Sequence, residues 1–328
     1  MLYITTRGDR DAFTAHRTLC TDQAPDEGCF IPMRFPQFSS AEISLIAEQS
    51  FEETVAYILN IFFSANLTKW DVSLYVGRNT ARVPETNKRI ILAELWHNPG
   101  NCFQYVLDGL FSRVFGTETN LQPSEWFKVA VKIAILFGVY GELCHSEQLK
   151  VGDHIDLSLP ADDFSYPIAA LYATAIGLPL GSVICNCTKT HEMWNLIHRG
   201  TLNYSGVPDI MRAGVERFLS LRLNKVPNSQ GSFEADAEEK LILRKGIFCV
   251  VSGAERVLHA LNGVYSSIAR IVTPDVALCF SGLGDYRAKT GESKLTLILE
   301  EDSPALYTEE IGKATGISKS KLENYLKE

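Results

Sequence analysis

Net positive charge is the first thing this chain lacks. Its 328 residues carry 31 Lys plus Arg against 39 Asp plus Glu, a formal charge of −8, and no basic run relieves the balance. Nucleic acid and anionic membrane are therefore not expected as partners. A long apolar run is missing too. Residues 165–188 hold no charge, but Pro167, Gly177, Pro179 and Gly181 interrupt them. They read as a buried helix over residues 168–176, a Gly-Leu-Pro turn and a buried strand over residues 180–185, not as a membrane span. The opening residues reach charge at Arg7 without an apolar signal core, so a cytoplasmic location is expected. There is no internal repeat and no low-complexity tract. Eight cysteines are too few for a disulfide scaffold at this length, and Cys249 and Cys279 sit inside apolar runs as small hydrophobes. Cys185, Cys187 and His191 have the types of a zinc site but no second pair at similar spacing, so no metal is expected. No Gly-x-Ser-x-Gly elbow, His-Glu-x-x-His pair or P-loop is present, and Gly282 with Gly284 lacks the third glycine of a phosphate loop.

What is there is an ordinary globular composition, 46% hydrophobic and 21% charged, with length for about two domains of about 150 residues. Apolar residues recur at three and four spacing over residues 51–63. Ser39 and Ser40 with Glu42 open a helix over residues 41–49. Ser124 and Glu125 open a long apolar helix through Val139, ending near Gly141. Further helices are expected over residues 192–198, 209–222, 254–264 and 322–327, with residues 224–239 as a polar loop leading into a surface helix. Between them lie aliphatic runs at residues 90–95, 155–159, 180–185, 248–251 and 295–299. This alternation predicts an α/β fold with a mostly parallel sheet flanked by helices.

Ligands of such sheets bind beyond the carboxyl ends of strands. That directs attention to His97, to residues 161–165 and to residues 300–303. Among seven scattered histidines, His97 is the best placed. Asp162 and Asp163 could form an acid/base pair, although adjacent carboxylates more often cap a helix or face water. By themselves these residues disclose no activity.

Several local strings resemble the threonine synthase family, in the right order. Tyr3 to Gly8 (Tyr-Ile-Thr-Thr-Arg-Gly) is similar to its opening, as are Asp26 to Pro32 and Phe35 to Ser39. Glu94 to Pro99 with Phe103 resembles the family's Glu-Leu-Phe-His-Gly-Pro-Thr-x-x-Phe-Lys-Asp segment. Gly177 to Pro179 resembles its Met-Gly-Leu-Pro-Ile stretch. Pro208 to Met211 with Val215 to Leu219 resembles its Met-Asp-Ile and Asn-x-Glu-Arg-Leu segments. The resemblance implies a pyridoxal-phosphate enzyme of fold type II that converts O-phosphohomoserine to threonine and phosphate. A lysine would hold the cofactor as a Schiff base.

Four departures accompany it. Aligned through Phe103, the lysine position is Gln104, followed by Tyr105 where Asp is usual. The family's Ser-Gly-Asn-Phe-Gly phosphate loop corresponds to Pro160 to Ser165, where Asp162, Asp163 and Ser165 replace small or neutral residues around Phe164. The family's Thr-Ala-His-Pro corresponds to Glu301 to Pro304. The Thr-Ser-Gly-Asp-Thr-Gly segment is absent, as though a mobile subdomain were largely deleted. The expectation is a threonine-synthase-like region over residues 1–100 and a reduced pyridoxal-phosphate-enzyme-like α/β domain over residues 101–328.

The expected function is that of a pseudoenzyme, with no catalytic residue and no cofactor. A candidate pocket of His97, Phe103, Gln104, Asp162, Asp163, Glu301 and Asp302 would take a small molecule, or the surface would take a protein. That protein would be a second copy or a genuine threonine synthase. A variant has the four carboxylates gather beside Gln104 as an acidic pocket for a divalent cation or an amine. The alternative is a working threonine synthase or related lyase, binding pyridoxal phosphate through a displaced lysine such as Lys189. New chemistry around His97 and the carboxylates is a third reading.

Overall fold

The five aliphatic runs become the five parallel strands of one sheet. A computed structural model describes residues 1–8, 11–19, 21–76, 85–86, 89–116, 121–188, 191–204, 209–228 and 230–325. The chain opens with β1 (Leu2–Thr5), β2 (Phe13–Thr14), α1 (Ala15–Leu19) and β3 (Phe30–Pro32), then α2 (Ser40–Ala47), α3 (Phe51–Phe63) and α4 (Lys69–Val76). Next come β4 (Glu85–Thr86), β5 (Ile90–Glu94), α5 (Phe103–Phe115), α6 (Glu125–His145), β6 (Ile155–Pro160), α7 (Ser165–Ala175) and β7 (Leu180–Cys187). The chain continues through α8 (Glu192–His198), β8 (Thr201–Asn203), α9 (Asp209–Leu223), β9 (Ser232–Glu234), α10 (Ala237–Arg244) and β10 (Ile247–Val251). It ends with α11 (Ala254–Ile268), α12 (Pro274–Thr290), β11 (Thr296–Glu300), a 3₁₀ turn (Pro304–Tyr307), α13 (Thr308–Thr315) and α14 (Lys319–Tyr325).

The main sheet has the order β10-β7-β6-β11-β5-β4, with only β4 antiparallel. Helices cover both faces, so its inner strands are buried along their whole length and read as unbroken apolar runs. One face, through Ile91, Ala93, Leu157 and Leu299, packs on α5, α6, α7 and the amino-terminal elements. The other, through Ile90, Leu92, Ile184 and Ile298, packs on α11, α12 and α13. β5 lies within the first hundred residues yet pairs along its length with β11, Glu94 opposite Glu300.

α3 spans the residues expected and α2 begins one residue early, at Ser40, and each has a complete capping box: Ser39 with Glu42, and Ser50 with Glu53. α6 differs from expectation, running past Gly141 to His145. Its glycines mark close approach instead of an end. A Cβ on Gly138 would lie 2.7 Å from the Phe51 ring, and one on Gly141 3.4 Å from the Ile46 carbonyl oxygen. Gly282 and Gly284 also lie inside a helix, α12, where Gly282 makes room for Asn186. They therefore form no phosphate loop. α5 passes to α6 across nine positions, 116–124.

The turn between α7 and β7 carries a testable consequence. Gly177 has φ +113°, and a Cβ there would sit 2.5 Å from the Phe38 carbonyl oxygen, which is backbone and cannot swing aside. Gly177→Ala is expected to cost about 2–4 kcal/mol in urea denaturation. Gly253→Ala, at ordinary φ and in open space, should change stability by no more than about 0.5 kcal/mol. Equal effects would show that the Phe38 contact does not constrain the turn.

Candidate functional site

β6, β11 and β5 are neighbours, so the segments that follow them meet at one edge of the sheet. α6 runs beneath that edge. It is buried nearly all round, as a helix apolar on every side must be, yet it carries Lys132 with its side chain only 4% exposed. The ammonium is held from several directions. Nζ donates to Ser165 Oγ at 2.9 Å and lies 3.3 Å from Glu301 Oε1. It also sits 3.7 Å from the centre of the Tyr166 ring and 5.6 Å from that of Phe103. Ser165 passes the interaction on, since its hydroxyl and its amide both donate to Asp163 Oδ1, at 2.7 and 3.0 Å.

These contacts set the electrostatics. Burial raises the Asp163 carboxyl, but Lys132, both Ser165 donors and Lys128 outweigh it, leaving the group below its ordinary value. Burial lifts the Glu301 carboxyl, with Lys132 opposing. Burial lifts the Tyr166 phenol, with Glu301 and Asp163 adding to the effect. The Tyr166 hydroxyl faces Glu301. Phe164, at φ +61°, turns the chain into α7 with its ring buried against Phe218.

The structure therefore gathers Phe103, Asp163, Ser165 and Glu301 around Lys132. The other expected residues face elsewhere. The Gln104 amide is exposed and donates along α5 to Asp108 at 2.8 Å. Asp162 accepts from the amide and hydroxyl of Thr188, tying the end of β6 to the end of β7. Asp302 accepts from the Phe103 amide at 3.3 Å and from the Tyr307 hydroxyl at 3.2 Å, so it closes the start of α5. The four carboxylates thus answer different donors within the protein. Among the described residues, no three His, Cys, Asp or Glu side chains are grouped to hold a metal.

His97 belongs to a second cluster. Side chains alternate along a strand, so Glu94 and Glu300 point to the α11 and α12 face while Glu301 points to α6. His97 Nε2 meets Glu94 Oε2 at 2.7 Å, its ring stacks on Trp96, and Arg270 donates to the other Glu94 oxygen. Glu300 accepts from the Thr273 amide at 2.8 Å and the Trp96 indole at 3.2 Å. Burial pushes its carboxyl up to about 7 against these bonds and Arg270.

Comparison with known proteins now bears on the reading. Residues 2–78 match the family model described as Threonine synthase N terminus. Threonine synthase-like 1 of Mus musculus is 26% identical over 128 residues, covering 36% of this chain and 17% of the mouse protein. The Homo sapiens protein of that name is 22% identical over 191 residues, 52% of this chain and 26% of the human one. The chain thus spans about a quarter or less of these relatives' lengths. Pyridoxal-phosphate-bound threonine synthase from Brucella melitensis superposes with a TM-score of 0.76 at 15% identity, covering 99% of this chain and 98% of that one.

The chain carries the threonine synthase fold. The yeast threonine synthase gives a TM-score of 0.75 at 14% identity, over 98% of this chain and 91% of that one. The resemblance in the ordered strings is borne out, and so is the fold it implied. Within the threonine synthase fold, sequence reasoning missed Lys132 and Tyr166. Lys132 left one signal, being the only charged residue between Val129 and Tyr140. Lys189 lies outside the described residues. Among those described, no helix is long and apolar enough to cross a membrane.

Two predictions follow from the geometry. Lys132→Met leaves Glu301 without its cation, and since Glu301 is a quarter exposed, the expected loss is about 2–4 kcal/mol by chemical denaturation, somewhat under that of a wholly buried pair. Lys132→Met with Glu301→Gln should recover at least half of it, and no recovery would mean that packing, not charge, explains the loss. Glu300 binds its proton more tightly folded than unfolded. Its stabilising contribution is therefore complete below about pH 4.3 and fades as pH rises through about 7. Melting temperatures of the native chain should fall from pH 5 to pH 8, with a shallower slope in Glu300→Gln; identical slopes would remove Glu300 as the cause.

Proposed function

We propose that this chain is a threonine-synthase-like pseudoenzyme. It does not hold pyridoxal phosphate as a Schiff base or turn over O-phosphohomoserine, and it acts by binding a small molecule or a protein. The observation carrying this reading is the Asp163 carboxylate at the amino end of α7, where the sequence resembles the family's phosphate loop. The Ser165 amide, which would serve a phosphate, already donates to Asp163. A phosphate brought there meets Asp163 as a like charge, and repulsion of about 4 kcal/mol per charge pair at 4 Å is expected for a partly buried site. The residues present do not fit the cofactor's phosphate. Gln104 adds to this: a carboxamide is not a nucleophilic amine, and its side chain runs along the outside of α5.

A binding role is favoured by the surface. Trp70 and Leu74, one turn apart on α4, are 60% and 55% exposed. A second copy of the chain or a threonine synthase is the partner class this reading favours. A second reading, in which the cofactor lysine has moved, draws on Lys132, a buried amine beside an aromatic ring. Against it, the ammonium is paired with Glu301 and hydrogen-bonded to Ser165, whereas Schiff-base formation needs the neutral amine.

Titration of the purified chain with pyridoxal phosphate, followed by visible absorbance, borohydride reduction and peptide mapping, separates the readings. The expected outcome is no saturable band, and none in Gln104→Lys either, because the Asp163 carboxylate still fills the cradle. A saturable band mapping to Lys132 would overturn the pseudoenzyme reading and identify the relocated lysine.

A further inference from the structure

The fold assembles a concentration of positive charge that no run of sequence shows. The carboxyl ends of α8, α9, α10 and α12 meet at the amino end of β10, and each brings cations. Arg244 donates through Nε to the Ile197 carbonyl at 2.8 Å and through a terminal nitrogen to that of His198. Arg222 donates to the Lys245 carbonyl at 2.6 Å. Lys289 lies 5.5 Å from the centre of the Phe248 ring, and Arg199 lies 5.2 Å from that of Trp194. Trp194 stacks on His198, whose imidazole is held below its ordinary value by burial and by Arg244 and Lys289. Among the described residues, none of these five Lys and Arg side chains is ion-paired. Cations are expected near helix carboxyl ends, but four such ends supply only about half a negative charge each, about −2 in all, which leaves about +3. The carboxylates of these helices are committed elsewhere. Glu192, Glu238 and Glu239 stand in the first turns of α8 and α10, and Asp285 pairs with Arg256. Leu241 and Ile242, one turn before Arg244 and Lys245 on α10, are 68% and 39% exposed, so the surface joins apolar side chains to charge.

The rest of the chain, 26 Lys plus Arg against 39 Asp plus Glu, carries −13. A long polyanion laid over the patch would meet that charge beyond its edges. A two-fold pairing of two copies through this face would set cation against cation. A short acidic segment avoids both. We propose that this surface, at the amino edge of the sheet opposite the candidate site, docks an acidic segment of another protein, its carboxylates on Arg199, Lys245 and Lys289 and an apolar side chain on Leu241 and Ile242. Arg222 and Arg244 are bound to helix carbonyls and frame the site. Arg199, Lys245 and Lys289 are exposed and hold no side-chain hydrogen bond among the described residues, so they are free to meet a partner. Lys132 and Asp163 lie at the other end of the sheet, so this role stands whether or not the chain takes a cofactor.

The test uses the full chain and a short fluorescein-labelled peptide of glutamates with interspersed leucines, followed by fluorescence anisotropy. The native chain should bind it saturably, with a dissociation constant of about 10–100 μM that rises with salt. Arg199→Glu, Lys245→Glu and Lys289→Glu together should weaken binding at least about tenfold. Arg17→Glu, Arg34→Glu and Lys150→Glu, which change the net charge equally outside the patch, should weaken it less than about threefold. If the first triple variant loses its cooperative melting transition, the same three positions changed to Gln carry the test, with a loss of at least about threefold expected. A peptide with serine in place of leucine should bind more weakly. The proposal is overturned if the native chain shows no saturable binding, if both triple variants lose it equally, or if the serine peptide binds as tightly. It is overturned too if an oligothymidylate of the same length, or phosphatidylserine vesicles, bind as well at matched salt, since the surface would then take any polyanion.

Discussion

One ammonium group inside an apolar helix sets the terms for the rest of the site. Burying a charge is costly unless partners surround it, and Lys132 sits within α6, a helix buried along most of its length. Its partners come from three other elements: Ser165 and Tyr166 from α7, Glu301 from the end of β11, and Phe103 from the start of α5. Those elements must therefore end or begin where they do. Shifting β11 by one residue would turn Glu301 to the opposite face and present Glu300 to the lysine, because side chains alternate along a strand.

The same alternation keeps two charged clusters apart. Glu300 and Glu94, paired across β11 and β5, answer to Thr273, Trp96, His97 and Arg270 on the α12 side, while Glu301 answers to Lys132 on the α6 side. Each cluster has its own cation, so each carboxylate finds a partner without crossing the sheet. The carboxyl edge, where α/β proteins bind ligands, is lined here by charges already committed to one another. Asp302 at the start of α5 and Asp163 at the start of α7 extend this pattern to the two helix ends, where backbone amides would otherwise favour an incoming anion.

Much of the scaffold was legible because burial on both faces leaves a plain trace. Each of the five aliphatic runs is a parallel strand, the cap at Ser39 starts a helix, and the three-and-four apolar spacing over residues 51–63 is α3. The misreadings have a common cause. Gly141 was expected to end a helix, yet it sits inside one because another segment packs against its bare Cα, as Gly282 does in α12. One-dimensional pattern does not record such approach. The site was legible in location but not in composition. Segments 161–165 and 300–303 do converge, but Gln104, Asp162 and Asp302 turn to local donors that spacing cannot reveal. Lys132 went unnoticed because it contributes to no motif; its meaning comes from contacts 33 and 169 residues away in the chain.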